Sequence, residues 1–415
     1  MSTPVLVLLG PTPWEGPLVA GLAHPGSRVA ITRRCLDTAD LLAAAAVGLG
    51  RVAVVGVSAP RLDADVVDRL RANGLTVVGL VDRGDDQAAY LLRRWGVGDV
   101  VEVDVDRLGE TVRAVAAAVD RVGEVRLEEP GPDATDSQDG AGRIVAVWGP
   151  AGAPGRTSVA VALADEAGRA GVEALLVDAD TWAPSVAVVL GLVDDGPGLA
   201  SACRRALAGS LDAGSLVGLC RQVRPGLRVL PGLPRAGRWT EVRGAALADV
   251  LAVARSLADL VVVDCGFSLE SDEELVFDTD APRRNAATFA ALECADVVVA
   301  VGGADPVGLV RLVSALSELD EIVPGADVRV LVTRLRESVT GRRGRAAVSD
   351  AVRTHAGADV AWCVPDDRSA YDAALRHGST LAEVASSSPA RAALRGAALE
   401  LVRDLDITTP GRHRG

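Results

Sequence analysis

Short apolar runs recur along this chain, and between them lie Ala- and Leu-rich stretches at helical spacing. Strands that alternate with helices form parallel sheets covered on both faces, so the alternation restricts the chain to an α/β architecture. In the first part the strand-like runs are Val5–Leu9, Ser27–Thr32, Arg51–Val57, Thr76–Val81 and Val100–Val103, with helical stretches at Thr38–Val47, Ala64–Ala72 and Gln87–Trp95. In the second part they are Arg143–Trp148, Ala174–Val177, Leu260–Val263, Asp296–Val301 and Val328–Thr333. Glu128–Gly142 is rich in Pro, Gly, Asp and Ser and reads as a linker. A chain of 415 residues is too long for one ordinary core. The expected layout is residues 1–125, a linker at 126–142, a second domain at 143–405 and a flexible tail at 406–415.

Composition closes off several function classes. Every one of the 43 basic residues is arginine, so no lysine-dependent chemistry is available. The net charge of −13 argues against a protein that coats nucleic acid. Six scattered cysteines and four histidines show no metal or redox spacing, and the thiols read as reduced in a cytosol. The start has no basic leader and no apolar span reaches 18 residues, so the expected location is cytoplasmic. The polar tail cannot form an amphipathic membrane helix, while Pro389–Leu405 reads as a helix packed on the core. Membrane contact is therefore expected to be peripheral at most, at the inner face of the plasma membrane.

The strongest local signal is the turn Gly149-Pro150-Ala151-Gly152-Ala153-Pro154-Gly155-Arg156-Thr157-Ser158, set between a buried strand and a helix from about Thr157 to Ala170. Backbone N–H groups of such a turn, with a helix N-terminus behind them, form a nest for phosphate oxygens. Thr157 is placed to put its hydroxyl on Mg²⁺. Downstream, Asp178 and Asp180 follow a buried strand and Asp264 follows another. Ligands of open α/β sheets bind at such strand ends. The competing reading of each aspartate is an acid that caps a helix or solvates a strand end.

In order and spacing, Arg143–Arg403 resembles the MinD/ParA/CpaE group of P-loop ATPases, with the loop followed by LLVDADTWAPSVAVVLGL, LVVVDCG, Ala295–Val301, VRVLVTR and Val364-Pro365-Asp366-Asp367. The resemblance implies ATP and Mg²⁺ as ligands, with ADP as product. The loop residues Gly152, Ala153, Pro154, Gly155, Arg156, Thr157 and Ser158 would cradle the phosphates. Thr157 and Asp264 would hold the metal, Asp180 would orient the attacking water, and Asp178 would support the metal shell. Arg334, Pro365 and Asp366 would lie by the base. It further implies a nucleotide-sandwiched homodimer and protein partners in a division (septum) or pilus and secretion machine.

The departures from that pattern are specific. The family's two loop lysines are Ala151 and Arg156 here, and Pro150 and Pro154 each lack a backbone donor. Arg235 or Arg238 could supply the charge missing at Ala151. The arginines 334, 336, 342, 343 and 345 form either a solvated loop or a basic patch. Two readings of the function remain open, a slowly hydrolysing ATP switch and a pseudo-ATPase scaffold. A third, an enzyme of a related P-loop family, would need cluster cysteines or a clear substrate pocket, and nothing in the sequence supplies either.

Residues 1–125 resemble the flavodoxin-like receiver domain of response regulators, on the rhythm of VAVVGVSAPRLDADVVDRLRANG. Gly56 stands where a receiver carries its phosphoacceptor aspartate, and the family's lysine is missing. Incubation of the full chain with acetyl phosphate is therefore expected to leave residues 1–125 unlabelled. Stable stoichiometric acyl phosphate there would contradict this reading.

Overall fold

The alternation resolves into two sheets in a computed structural model that describes residues 3–24, 27, 29–59, 62–124, 142–192, 196, 198–270 and 283–407. Nearly all of the expected linker and residues 408–415 of the tail lie outside the described residues. The chain divides into two compact units, one on each side of that linker.

The N-terminal unit contains β1 (Thr3–Leu8), β2 (Val29–Arg34), β3 (Val52–Gly56), β4 (Thr76–Asp82) and β5 (Asp99–Val103). All pairings are parallel, in the order β2-β1-β3-β4-β5. Helices Glu15–Leu22 and Leu108–Glu124, which sequence periodicity did not reveal, complete the cover of the sheet. Gly56 ends β3 against the backbone of Leu9, and a Cβ at that position would lie 3.2–3.3 Å from Leu9 main-chain atoms. Gly10 turns back at φ +58° over the carbonyl of Ser58. The end of β3 is thus closed by the β1 turn. The nearby Asp82 carboxylate is engaged by the indole N–H of the buried Trp14.

The C-terminal unit contains β6 (Arg143–Trp148), β7 (Ala174–Ala179), β8 (Arg221–Arg224), β9 (Leu227–Leu230), β10 (Leu260–Cys265), β11 (Val297–Gly303), β12 (Val328–Leu335) and β13 (Val360–Pro365). Their order is β13-β12-β11-β6-β10-β7-β9-β8, parallel except for the β8–β9 hairpin. That hairpin, turned at Pro225-Gly226, was not among the expected strands. Strand alternation splits the core in two. Ile144, Ala146 and Trp148 pack on one face; Val145 and Val147 pack on the other, under helices Arg156–Arg169 and Pro389–Asp404. Along β10, Leu260 and Val262 belong to this second face. The period of two therefore aims Asp264 toward the helix that follows β6.

Two buried acids fasten that helix. Asp165 accepts from Arg169 Nε (3.0 Å) and from Arg224 Nε (2.7 Å) of the hairpin. Glu166, 3% exposed, accepts from Arg391 Nε (2.6 Å) of the C-terminal helix, with Arg395 at 4.0 Å. Breaking a buried pair strands the remaining charge. Arg391→Ala should cost about 3 kcal/mol in urea unfolding, and Arg395→Ala below about 1 kcal/mol. Equal small losses would show that Glu166 does not depend on Arg391.

Candidate functional site

β6 leaves the sheet through a turn with little freedom. A side chain at Gly149 would collide with the Val301 carbonyl of β11. Ala153 N–H closes on Pro150 O (2.9 Å), and Gly152 (φ +76°) and Gly155 (φ +86°) adopt the left-handed region that favours glycine. The Thr333 hydroxyl, at the end of β12, is shared between Pro154 O (2.8 Å) and Gly302 O (3.1 Å). Gly155 is the N-cap of helix Arg156–Arg169 and offers no capping side chain. The first-turn N–H groups of Arg156, Thr157 and Ser158 then form the positive end of a helix dipole, suited to an anion.

Three carboxylates converge beside that turn. Asp264 and Asp178 are register partners on the parallel pair β10–β7, and Asp180 follows two residues on. Their exposures are 0%, 1% and 3%. Asp178 is spoken for: Oδ2 accepts from Ser185 N (3.0 Å) and Val186 N (3.1 Å), and Oδ1 from Asp180 N (3.3 Å). It holds the segment after β7 in place. Burial, followed by the charge of Asp264, raises its pKa against those amide bonds. Asp180 Oδ1 accepts from Trp182 N (2.8 Å) and Ala183 N (3.0 Å). Among the described residues neither oxygen of Asp264 meets full hydrogen-bond geometry with a partner, though the Thr157 hydroxyl is near enough to act on it. Burial pushes its pKa up to about 7; the Thr157 hydroxyl and the Arg156 guanidinium oppose the rise, and the charge of Asp180 adds to it. The Thr157 hydroxyl itself is bonded to Ser185 Oγ (3.2 Å).

Arg156 is the cation of this group, and it is turned inward. Nη1 donates to Gly149 O (3.1 Å) and reaches Pro150 O at 3.4 Å, while Nη2 lies 3.4 Å from Asp180 Oδ2. The guanidinium also sits 5.9 Å from the Phe267 ring centroid, and its buried Nε is without a partner. The expected role of Arg156 is to hold phosphate, but the guanidinium braces the loop that would cradle it. A planar fork with five donors in fixed directions can bond two carbonyls and a carboxylate at once.

The structure adds residues that the sequence reading missed. Trp182 Nε1 donates to Asn285 Oδ1 (2.9 Å), and Arg284 Nη2 donates to Thr181 O (3.0 Å). The Arg284 guanidinium lies 4.0 Å from the Trp182 ring centroid and 5.1 Å from that of Trp239. The segment after Asp180 is thereby tied to the start of helix Ala286–Glu293. With 43 arginines in the chain, no sequence signal marks this one. Arg238 is held by Glu241 (2.9 Å) and Arg235 is exposed; neither contacts the loop among the described residues. Arg334, Pro365 and Asp366 gather separately at the ends of β12 and β13. Asp366 N–H donates to Leu335 O (3.1 Å), and its carboxylate lies between Arg336 (3.8 Å) and Arg368 (3.7 Å). Arg334 is exposed and adopts φ +55°, a strained backbone for a side chain of its size. Thr333 ties this second group to the loop. Arg342 of the basic cluster is 95% exposed and 3.8 Å from Glu337, in keeping with a solvated loop.

No protein-family model and no curated protein sequence matches the chain. Among solved structures, it is similar to a ParA family ATPase from Chlorobium tepidum TLS, at 18% identity over 62% of this chain and 99% of that one, with a TM-score of 0.53. It is also similar to the septum site-determining protein MinD complexed with Mg-ADP from Pyrococcus horikoshii OT3 (18% identity, 64% and 98% covered, TM-score 0.51). A cell division ATPase MinD from Pyrococcus furiosus gives 18%, 63%, 99% and 0.50. The C-terminal unit has the fold of the MinD/ParA ATPases. In that fold the glycine-rich turn and the three aspartates occupy the carboxyl ends of central strands, where an α/β sheet opens to a ligand. No helix among the described residues is long and apolar enough to cross a membrane.

The buried acids make the MinD/ParA-like unit sensitive to pH. Asp264 has an ordinary unfolded pKa of about 3.9 and a folded one of about 7. Over that window the folded form keeps a proton that the unfolded form releases, so stability falls as pH rises from about 4 to about 7. In EDTA, the melting temperature should drop between pH 5 and pH 7, and Asp264→Asn should reduce the drop, Asp178 carrying the remainder. Parallel melting curves for the two proteins would show that Asp264 carries no such strain.

Proposed function

We propose that this chain is a CpaE-like, MinD/ParA-type regulatory protein that binds ATP with Mg²⁺ and hydrolyses it slowly or not at all, positioning or regulating a septum or a pilus and secretion apparatus. The observation that carries the reading is the bare, buried carboxylate of Asp264 beside an uncapped helix N-terminus. Among the described residues Arg156 is the guanidinium in contact with this acid group, with Arg284 acting on Asp180 from farther off, and a hard divalent cation with phosphate oxygens would improve the balance of charge. No group of three or more His, Cys, Asp or Glu among the described residues could hold a metal unaided. That suits Mg²⁺, which keeps several waters and takes few protein ligands.

Bound ATP would bring a γ-phosphate open to hydrolysis, with Mg²⁺ neutralising its charge. Within the chain, Thr157 Oγ1 and Asp264 would hold the cation, and the N–H groups of residues 155–158 would hold phosphate oxygens. The base would lie toward Arg334, Pro365 and Asp366. Asp180 would accept a proton from water, but both of its oxygens are already engaged, which favours slow turnover. Residues 1–125 are read as a receiver-like domain without an acceptor, joined by a linker at 126–142 to 143–405 and a tail at 406–415. Supporting this are the strand order 2-1-3-4-5, shared with flavodoxin-like folds, and the enclosed Gly56. The partners are protein components of the regulated machine and a second copy of the chain. The protein would work in the cytoplasm, peripherally at the membrane at most.

A specific observation favours a second reading, a scaffold without turnover. Arg156 spends its donors on the loop, and Pro150 and Pro154 bring none. The lysine-restored variant Ala151→Lys/Arg156→Lys separates the two readings. A switch limited by its loop should gain ATP turnover over the wild type by about tenfold or more, the scale of one charge-assisted bond. Unchanged turnover with ATP still bound would select the scaffold.

A further inference from the structure

We propose that Arg311 supplies, from within the same chain, the second cation of the phosphate loop that Ala151 cannot provide. The inference rests on the nucleotide-binding reading and names a residue for that site. Arg311 lies on helix Pro306–Ile322, which follows β11 and starts at the Asp305 cap. Its Nη1 donates to Ala151 O (3.2 Å), across 160 positions of sequence. The guanidinium tip sits against Gly152, whose φ of +76° is what calls for glycine there.

The position is what makes the residue informative. The resemblance assigns a lysine at 151 that reaches a partner's phosphates. Here that side chain is a methyl group, and a guanidinium from another helix occupies the adjacent space. Bonding to Ala151 O is the one hydrogen bond Arg311 makes among the described residues, out of five N–H donors. Arg311 is exposed, whereas Arg156 is largely covered. The outer nitrogens of Arg156 are engaged by Gly149 O, Pro150 O and Asp180 and its spare Nε is buried, so Arg311 is the loop-contacting cation with exposed donors to spare. The ligand class is a nucleoside triphosphate or another polyphosphate. Because the charge comes from the same chain, its contribution to affinity does not need a dimer.

The test is calorimetric titration of the full chain with Mg-ATP and with inorganic tripolyphosphate, for wild type, Arg311→Gln, Arg311→Lys and the exposed control Arg235→Gln. Gln keeps an N–H for Ala151 O and removes the charge; Lys keeps the charge. Arg311→Gln should weaken both ligands about tenfold, Arg311→Lys should recover most of the loss, and Arg235→Gln should match wild type at every protein concentration. Wild-type affinity in Arg311→Gln would overturn the assignment while leaving the nucleotide reading intact. Loss in Arg311→Lys equal to that in Arg311→Gln would also overturn it, since the role would then be geometric. Absence of any nucleotide or tripolyphosphate binding by the wild type would overturn the assignment together with the reading beneath it.

Discussion

Three carboxylates share the buried end of a parallel sheet with the Arg156 guanidinium and the more distant charge of Arg284, and the site is organised around that imbalance. Register places Asp264 directly beside Asp178 on adjacent strands. Like charges so placed, out of water, favour the protonated form or a cation. Asp178 is relieved by three backbone amides and Asp180 by two amides and Arg156. Among the described residues Asp264 has no backbone amide and no guanidinium bonded to it, and only the Thr157 hydroxyl and the charge of Arg156 relieve it. An apolar residue there would cost nothing in desolvation, so a bare buried acid is a liability unless something binds it.

The absence of lysine shapes how the rest of the site is built. A lysine gathers three donors at one point, whereas arginine spreads five over both edges of a plane. Arg156 uses those donors to brace the turn it belongs to, and Arg284 stacks between two tryptophans while holding Thr181 O. The same chemistry recurs away from the site, where Arg224 and Arg391 fasten Asp165 and Glu166 of the loop helix. The helix that presents the loop is therefore clamped on two sides by arginine forks.

Much of this was legible in the sequence because periodicity reports burial. β6 appears at the bounds read from its apolar run, and the helix after the turn begins one residue earlier than expected, at Arg156. Asp178, Asp180 and Asp264 come together because each closes an apolar strand at the same edge of the sheet. What alternation cannot report is the direction of a long, branched cation. Nothing in Arg156, Arg284 or Arg311 as letters says which carbonyl each will bond, since those contacts are set by tertiary packing across 7, 103 and 160 positions. The β8–β9 hairpin and helix Glu15–Leu22 were missed for another reason. The strands of the hairpin are four residues each, and the helix is short and apolar almost throughout, so neither shows a clear period.

The claim that Asp264 is bare because it serves a cation is tested most directly by one comparison. ATP binding to the full wild-type chain is measured at pH 7.5 with excess Mg²⁺ and again in EDTA, beside Asp264→Ala under both conditions. The account predicts wild-type affinity at least about tenfold tighter with Mg²⁺, the scale of one charge-assisted contact, and a variant that shows no such gain. Equal wild-type affinity with and without Mg²⁺, or no binding at millimolar ATP, would contradict it.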